Sequence, residues 1–459
     1  MITVTRVASN TCRARAVPVL ALPVAQGRGR RNIPQRATFA SSASSRSAIK
    51  ARAIVYDTHG EPSNVLRTHA FSLPDPSASQ VQLRLLLASC NPADTNVVQG
   101  SYPSRPSRRT TYLGLSAEEE GLFVGGNEGV AVVETLGTEA AAKSGLREGD
   151  WVSFGRAQVG TWASHIVCEA SDVVRLEAGQ TQSAVSRGGR QDVTDVMACN
   201  VMVNPATAFC MLTEFQKLQR GDVVIQNAAN SAVGQYVIQI AAKQLGVETI
   251  NLVRERPNLD ELRSQLQALG KGGPGTTVLT YQELATRDAS TSSFGKTGKE
   301  LMKTLLNGRQ LKLGLNAVSG RDTTDMLKYL SESASLVTYG AMSRSPLYLP
   351  ASLQIFRDVT AHGFWQTRWY AQRPHEERGK LMNTLLDWMG RGELQVPPSG
   401  VVELPLEGED RLGTELARRT VAASMRGFSG KKWYLRFGNP LGEKGTPAEE
   451  PPALPEEKQ

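Results

Sequence analysis

The sequence predicts a mixed α/β chain in which a β-rich half is followed by a doubly wound parallel sheet. Three observations carry this. The 459 residues are 40% hydrophobic and 21% charged, enough apolar material for two to four packed units. Near residue 200 the texture changes from alternating apolar and polar positions to a repeating strand–helix rhythm. Finally, the strand at Val224 runs through a turn of small residues directly into a helix.

Residues 1–52 hold ten basic groups and no Asp or Glu; the first acid is Asp57. The formal net charge of +8 therefore describes the N-terminus, because the rest of the chain carries 42 basic and 44 acidic groups, a net of −2. An Arg- and Ser-rich, acid-free start is drawn toward the negative side of an energised membrane. Residues 1–50 are accordingly expected to be a transit peptide to the mitochondrial matrix. A basic arm that binds nucleic acid is the competing reading, and only the whole-chain charge supports it. The apolar run at 16–25 is broken by Pro18 and Pro23 and is too short to span a membrane, which takes about 20 residues.

The β-rich half is expected over 51–202. Val81, Leu83, Leu85 and Leu87 alternate with Gln82, Arg84 and Leu86. Val130–Leu136 lies between Gly129 and Gly137, and Trp151–Phe154 follows the turn Gly149-Asp150. The parallel half is expected over 203–367. Asn204 reads as an N-cap, with Pro205 as the first residue of a helix to about Leu218. A strand at Val223–Ile225, a helix over about 233–245 and a strand at Thr249–Val253 follow. The next helix opens with Asn258, carries Asp260 and Glu261 in its first turn, and buries the stripe Leu259, Leu262, Leu266 and Leu269. The polar stretch 270–298 reads as a surface loop. Leu311–Val318 and Ser335–Gly340 read as strands around an Asp322-capped helix. Alternating β and α units of this kind imply a doubly wound sheet. Residues 439–459, with five prolines and many glutamates, read as a solvated tail.

Two features point to chemistry. In Val224-Ile-Gln-Asn-Ala-Ala-Asn-Ser-Ala-Val-Gly234 a strand, a small-residue turn and a helix follow one another, the place where a dinucleotide fold offers backbone N–H groups to a pyrophosphate. Any tight βα turn would also select small residues, so the segment alone leaves both readings open. Twenty residues beyond Gly234 comes Arg254-Glu255-Arg256. Two guanidinium groups suit a ribose 2′-phosphate, which favours NADP(H) over NAD, although Glu255 also permits a surface ion network. Cysteines at 12, 90, 168, 199 and 210 and histidines at 59, 69, 165, 362 and 375 are too scattered for a zinc site, so no metal is expected.

Further segments add to this: Asn91-Pro-Ala-Asp-Thr-Asn-Val-Val-Gln-Gly-Ser-Tyr102, Gly125-Gly-Asn-Glu-Gly129, Asn204-Pro-Ala-Thr-Ala208, Tyr339-Gly-Ala-Met342 and Gly363-Phe-Trp365. In these the chain resembles the medium-chain dehydrogenase/reductase superfamily over about residues 51–438. Within it, the chain resembles the mitochondrial trans-2-enoyl-thioester reductases. Zinc alcohol dehydrogenases have Gly-His-Glu where this chain reads Gly126-Asn127-Glu128, so the resemblance is to the zinc-free branch. It implies a GroES-like catalytic domain from residues 51–202 and 368–438, split by a Rossmann-type NADP-binding domain at 203–367. It also implies NADPH-dependent reduction of an enoyl thioester carried on acyl-carrier protein or CoA, and a homodimer formed by edge pairing of the parallel sheets. Tyr102 matches the proton donor. Asn204, Asn230, Ser231, Ala232, Val233, Arg254, Glu255, Arg256, Tyr339, Gly340, Ala341, Met342, Phe364, Trp365, Gln366 and Lys431 match cofactor-contacting positions. The competing readings are a zinc-free quinone oxidoreductase, a catalytically silent binding protein on the same scaffold, and an enoyl-CoA reductase outside mitochondria.

Overall fold

A computed structural model describes residues 49–179, 192–408, 410–425 and 430–453. The expected targeting segment therefore lies outside the described residues as far as residue 48.

The β-rich half begins with β1 (Lys50–Tyr56), β2 (Arg67–Ser72) and β3 (Gln80–Cys90). It continues with β4 (Phe123–Val124), β5 (Gly129–Leu136), β6 (Trp151–Phe154), β7 (His165–Glu169) and β8 (Val173–Arg175). β1 pairs antiparallel with β2 and β4 in a three-stranded sheet. β3 is the hub of the larger sheet, pairing antiparallel with both β5 and β7, and its apolar residues face a core that includes Trp151, Phe154 and Ile166. Near the C-terminus the chain returns to this sheet through β15 (Ser399–Leu404) and β16 (Lys432–Phe437); β16 pairs with β3.

The parallel sheet comprises β9 (Val223–Gln226), β10 (Glu248–Val253), β11 (Thr276–Thr280), β12 (Leu311–Asn316), β13 (Ser335–Thr338) and β14 (Thr360–Gly363), in the order β11-β10-β9-β12-β13-β14. Adjacent residues of β9 face opposite ways. Val224 packs with Tyr236 and Val237 of the helix Ala232–Ile240, whereas Val223 and Ile225 pack with Met302, Met326 and Leu327 from helices on the other face. Both faces are thus covered, as a parallel sheet requires. The chain runs outward from β9 to β11 and then returns to β12 on the other side of β9. The strand order therefore reverses between β9 and β12, where doubly wound sheets open a crevice at the C-terminal ends of the strands.

Four expectations change. Asn204 is the first residue of the helix Asn204–Glu214, with Val203 in the cap position and no side chain closing the turn. Ser319, not Asp322, precedes the helix Gly320–Leu327. The stretch 270–298 contains the edge strand β11, because the β-branched Thr276, Thr277 and Val278 pair parallel with Thr249–Asn251 of β10. The tail is docked as far as residue 453. Ala448 bridges to Val401 at the edge of the sheet, Glu449 pairs with Lys431, and the Thr446 carbonyl accepts from Arg436 at 2.7 Å. Its prolines do not prevent these contacts or a short 3-10 turn at Gly442–Lys444.

Candidate active site

The crevice is built by the turn after β9. Ala228 adopts φ 50°, and the Ser231 hydroxyl caps the helix Ala232–Ile240 by accepting from Gly234 N–H at 3.1 Å. The N–H groups of a helix's first turn have no acceptor inside the helix and are available to an anion. Gly234 is required by contact: a Cβ there would lie 2.6 Å from the Ala229 carbonyl oxygen. This cradle fits a dinucleotide pyrophosphate. The floor is pinned by residues that the motif reading did not single out. Asn227 donates to Asn316 Oδ1 at 2.8 Å and accepts from Ala317 N–H at 2.7 Å, and both asparagines are fully buried. The turn 339–342 closes over the same place, with Tyr339 N–H and Met342 N–H each donating at 2.9 Å to the carbonyls of Asn316 and Ala317. Burial raises the Tyr339 phenol, with the Ser231 hydroxyl opposing.

Arg254 and Glu255 are exposed just beyond β10, and Arg256 is half-buried. Tyr281, at the end of β11, connects this group to the turn. Burial pushes its phenol up to about 12, opposed by the Ala228 N–H and by the charge of Arg254. Only the pairing of β11 with β10 brings Tyr281 here, and no sequence motif marks it.

Tyr102 follows the helix Pro92–Val98, whose last turn fixes it: Asn96 O accepts from the N–H of Ser101 at 3.0 Å and of Tyr102 at 3.1 Å. Trp365, just after β14, donates its indole N–H to the Tyr102 hydroxyl at 2.8 Å, with the rings inclined at 71°. Burial raises the phenol's pKa, the indole N–H opposes this, and the charge of Asp94 adds to it. Because the indole occupies a lone pair of the oxygen, the phenol's own hydrogen is left to point elsewhere. The group is a protonated donor at neutral pH.

Below Tyr102 lies a buried polar network. Glu128 is fully buried and accepts from Ser89 Oγ at 2.7 Å, Asn91 Nδ2 at 2.9 Å, Val203 N–H at 2.8 Å and Lys432 Nζ at 3.0 Å. Asn204 joins it by donating to Asn91 Oδ1 at 3.4 Å, which is where its side chain goes instead of capping. Lys432 also donates to Asn200 Oδ1 at 3.1 Å. Lys431, the cofactor position expected from the resemblance, points away from this network and pairs with Glu449 at 2.8 Å. Lys431 precedes β16 and is exposed, whereas Lys432 is the first residue of that strand and is buried, so one position separates surface from interior.

The remaining predicted residues divide. Gln366 is buried and accepts from Thr207 Oγ1 at 3.4 Å. Phe364 packs in the core against Phe215, and the Met342 side chain is exposed. Asn127 donates to Asp94 Oδ1 at 2.5 Å. Among the described residues no group of three or more His, Cys, Asp or Glu converges on a metal-sized site, and no helix is long and apolar enough to cross a membrane.

No family model matches the chain. The mitochondrial enoyl-acyl-carrier-protein reductase of Xenopus tropicalis is 38% identical over 368 residues, covering 80% of this chain and 91% of its own length. A solved complex of Etr1p with NADP and crotonyl-CoA superposes with a TM-score of 0.73 at 32% identity, covering 84% of this chain and all of its own. The mitochondrial 2-enoyl thioester reductase Etr1p/Etr2p heterodimer from Candida tropicalis gives the same TM-score, identity and coverage. The identity and near-full coverage, with the crevice and the Tyr102–Trp365 pair on one scaffold, place this chain in the mitochondrial enoyl-acyl-carrier-protein reductase family.

Proposed function

We propose that Tyr102 supplies the proton in the reduction of a trans-2-enoyl thioester by this chain. The chain is a mitochondrial, NADPH-dependent enoyl-thioester reductase of the zinc-free medium-chain dehydrogenase/reductase superfamily. When bound, NADPH supplies a hydride to the electrophilic β-carbon of the substrate. The residues suited to hold it are Asn230–Val233 at the pyrophosphate turn, Arg254 and Arg256 at the 2′-phosphate, and Tyr339–Met342 and Gln366 along the crevice. Lys432, not Lys431, has the burial and partners of a group on the inner side. As charge moves onto the thioester oxygen, the Tyr102 hydroxyl stabilises it by hydrogen bonding and returns a proton to the α-carbon. Burial keeps the phenol protonated until that charge develops.

One observation carries the reading. The phenol of Tyr102, from the β-rich half, is held at 2.8 Å by Trp365, which follows the last strand of the parallel sheet. The donor is thereby fixed at the junction where a thioester and a nicotinamide would have to meet. Tyr102→Phe is expected to lower kcat at least about a hundredfold with crotonyl-CoA while leaving the KM for NADPH nearly unchanged. Wild-type turnover would remove Tyr102 from the mechanism. Assay of a quinone with the same enzyme separates the quinone reductase reading.

The carrier is a CoA or acyl-carrier-protein thioester, and the assembly is a homodimer through β14. Among the described residues that strand ends the parallel sheet with no neighbour on its outer side, and Ile355 and Phe356 beside it are 70% and 80% exposed. An unpaired edge flanked by apolar side chains invites a second strand. Phe356→Asp is expected to shift the mass measured by light scattering from dimer to monomer; an unchanged dimer would move the interface elsewhere.

A further inference from the structure

Asn127 stands where zinc-binding members of the superfamily place a ligand histidine, yet here it belongs to a relay of hydrogen bonds around the Tyr102 loop. Its Nδ2 donates to Asp94 Oδ1 at 2.5 Å, and its Oδ1 accepts from the N–H of Gln158 at 2.7 Å. Gln158 holds the left-handed conformation at φ 61°, which a residue with a Cβ adopts only under restraint. Its side-chain amide in turn donates to the carbonyl of Ser104, two residues beyond Tyr102. The other side of the loop hangs on Asn96 O, in the helix whose N-terminus Asp94 closes by accepting from Asn91 N–H at 2.7 Å. Both anchors of the Tyr102 loop therefore lead back to the carboxylate of Asp94, one of them only through Asn127.

We propose that Asn127 is a positioning residue for Tyr102: its amide couples the Asp94 carboxylate to Gln158 and so fixes the Ser104 side of the catalytic loop. The proposal rests on the reading of Tyr102 as proton donor. The amide is suited to the task because it is donor on one side and acceptor on the other. Turning it over would set its NH2 against the Gln158 N–H, so the order of donors and acceptors runs one way. The relay is complete when Asp94 is ionised, since each of its oxygens faces a donor and an added proton has no acceptor among them. The titratable groups whose charge reaches Asp94 are Glu128, Lys432, Tyr56, Tyr102 and Cys90. All of them are retained in Asn127→Ala and Asn127→Asp, the variants whose pH profiles are compared with wild type.

The test uses the full chain with NADPH and crotonyl-CoA across pH 5.5–9, comparing Asn127→Ala, Asn127→Asp, Tyr102→Phe and the double variant Asn127→Ala/Tyr102→Phe. Asn127→Ala is expected to lower kcat about ten- to a hundredfold, the cost of a small misplacement, with the KM for NADPH within about twofold of wild type. The double variant is expected to be no slower than Tyr102→Phe, because a phenol that is absent cannot be misplaced. Asn127→Asp keeps the volume and reverses the pH response. At low pH one proton shared between the introduced carboxylate and Asp94 preserves the relay, and at high pH two facing carboxylates repel. Its kcat should fall as pH rises, where the wild-type value falls as pH drops. Wild-type kcat in Asn127→Ala, additive losses in the double variant, or parallel pH profiles for Asn127→Asp and wild type would each overturn the proposal. Should Asn127→Ala not fold, the isosteric Asn127→Asp profile decides. Normal turnover in Tyr102→Phe would instead overturn the proton-donor reading itself, whatever the Asn127 variants do.

Discussion

Two adjacent lysines provide a sharp test of the site's interior. Lys432 Nζ lies 3.0 Å from Glu128 Oε2, and the two side chains are 6% and 0% exposed. Lys431 Nζ lies 2.8 Å from Glu449, with side chains 43% and 39% exposed. The distances are nearly equal, so the environment decides the energetics. Removing one partner of a buried pair leaves an uncompensated charge in low dielectric and costs about 3–5 kcal/mol. For Glu128 the donors Ser89, Asn91 and Val203 N–H remain, which favours the lower end of that range. An exposed pair is worth about 0–1 kcal/mol. Lys432→Met should therefore lower the urea midpoint strongly, whereas Lys431→Met should leave it within experimental scatter. Because domains are stabilised by only about 5–15 kcal/mol, the first variant stands near the limit of folding. Glu128→Gln in the Lys432→Met background should recover part of the loss, since a neutral amide no longer demands a counter-charge. Recovery is incomplete because its NH2 group has to face a donor that one carboxylate oxygen had accepted from. Both variants are read by urea unfolding followed by fluorescence and circular dichroism, with and without saturating NADPH. Equal shifts for the two lysines, or no recovery in the double variant, would refute the burial argument.

Replacing Arg254 and Arg256 by Ala should raise the KM for NADPH at least about tenfold more than that for NADH, because only the former carries the 2′-phosphate a guanidinium pair would bind. Equal losses in steady-state assays would mean that the pair does not read that group. Burial pushes the Asp94 carboxyl up to about 7, opposed by the Asn91 N–H, the Asn127 amide and Lys432, and reinforced by Glu128. In the unfolded chain an aspartate titrates near 4, so between about pH 4 and 7 the folded chain holds a proton that the unfolded chain releases. The stability from this group is complete below about pH 4 and is lost as pH rises through about 7. Asp94→Asn should flatten that slope in urea titrations across pH 4–8, and wild-type and variant curves that stay parallel would contradict it.

Local signals announced the elements with fidelity where local forces dominate. The alternation from Val81 to Leu87 gave β3, and the turn Gly149-Asp150 gave β6 at Trp151–Phe154. The strand, turn and helix around Val224–Gly234 were legible because each step uses near-neighbour chemistry, ending in the cap of Ser231 on Gly234. Legibility failed where a partner distant in sequence intervenes. Asn204 has every local mark of a cap, but its amide is drawn to Asn91, 113 residues away. The threonines of β11 lie in a polar stretch and become a strand because β10 offers them an edge. Tyr281 and Asn316 lie in no motif, and Asn227, inside the Val224–Gly234 segment, carries no local mark of its distant partner.

The sequence by itself determined the kind of protein this is. Its charge distribution and strand–turn–helix pattern depend on residue order and local geometry and carry the fold class and a dinucleotide turn, while the reaction was legible only through the family that its motifs together resemble. Tertiary structure alone decided which atoms meet. Tyr102 and Trp365 are separated by 263 positions, and Glu128 and Lys432 by 304. Lys431 lies just outside β16 and is exposed, whereas Lys432 opens the strand and is buried against Glu128, so the start of one strand separates the two. One-residue register and long-range pairing are settled by packing and by the cost of burying charge, and no local pattern encodes either.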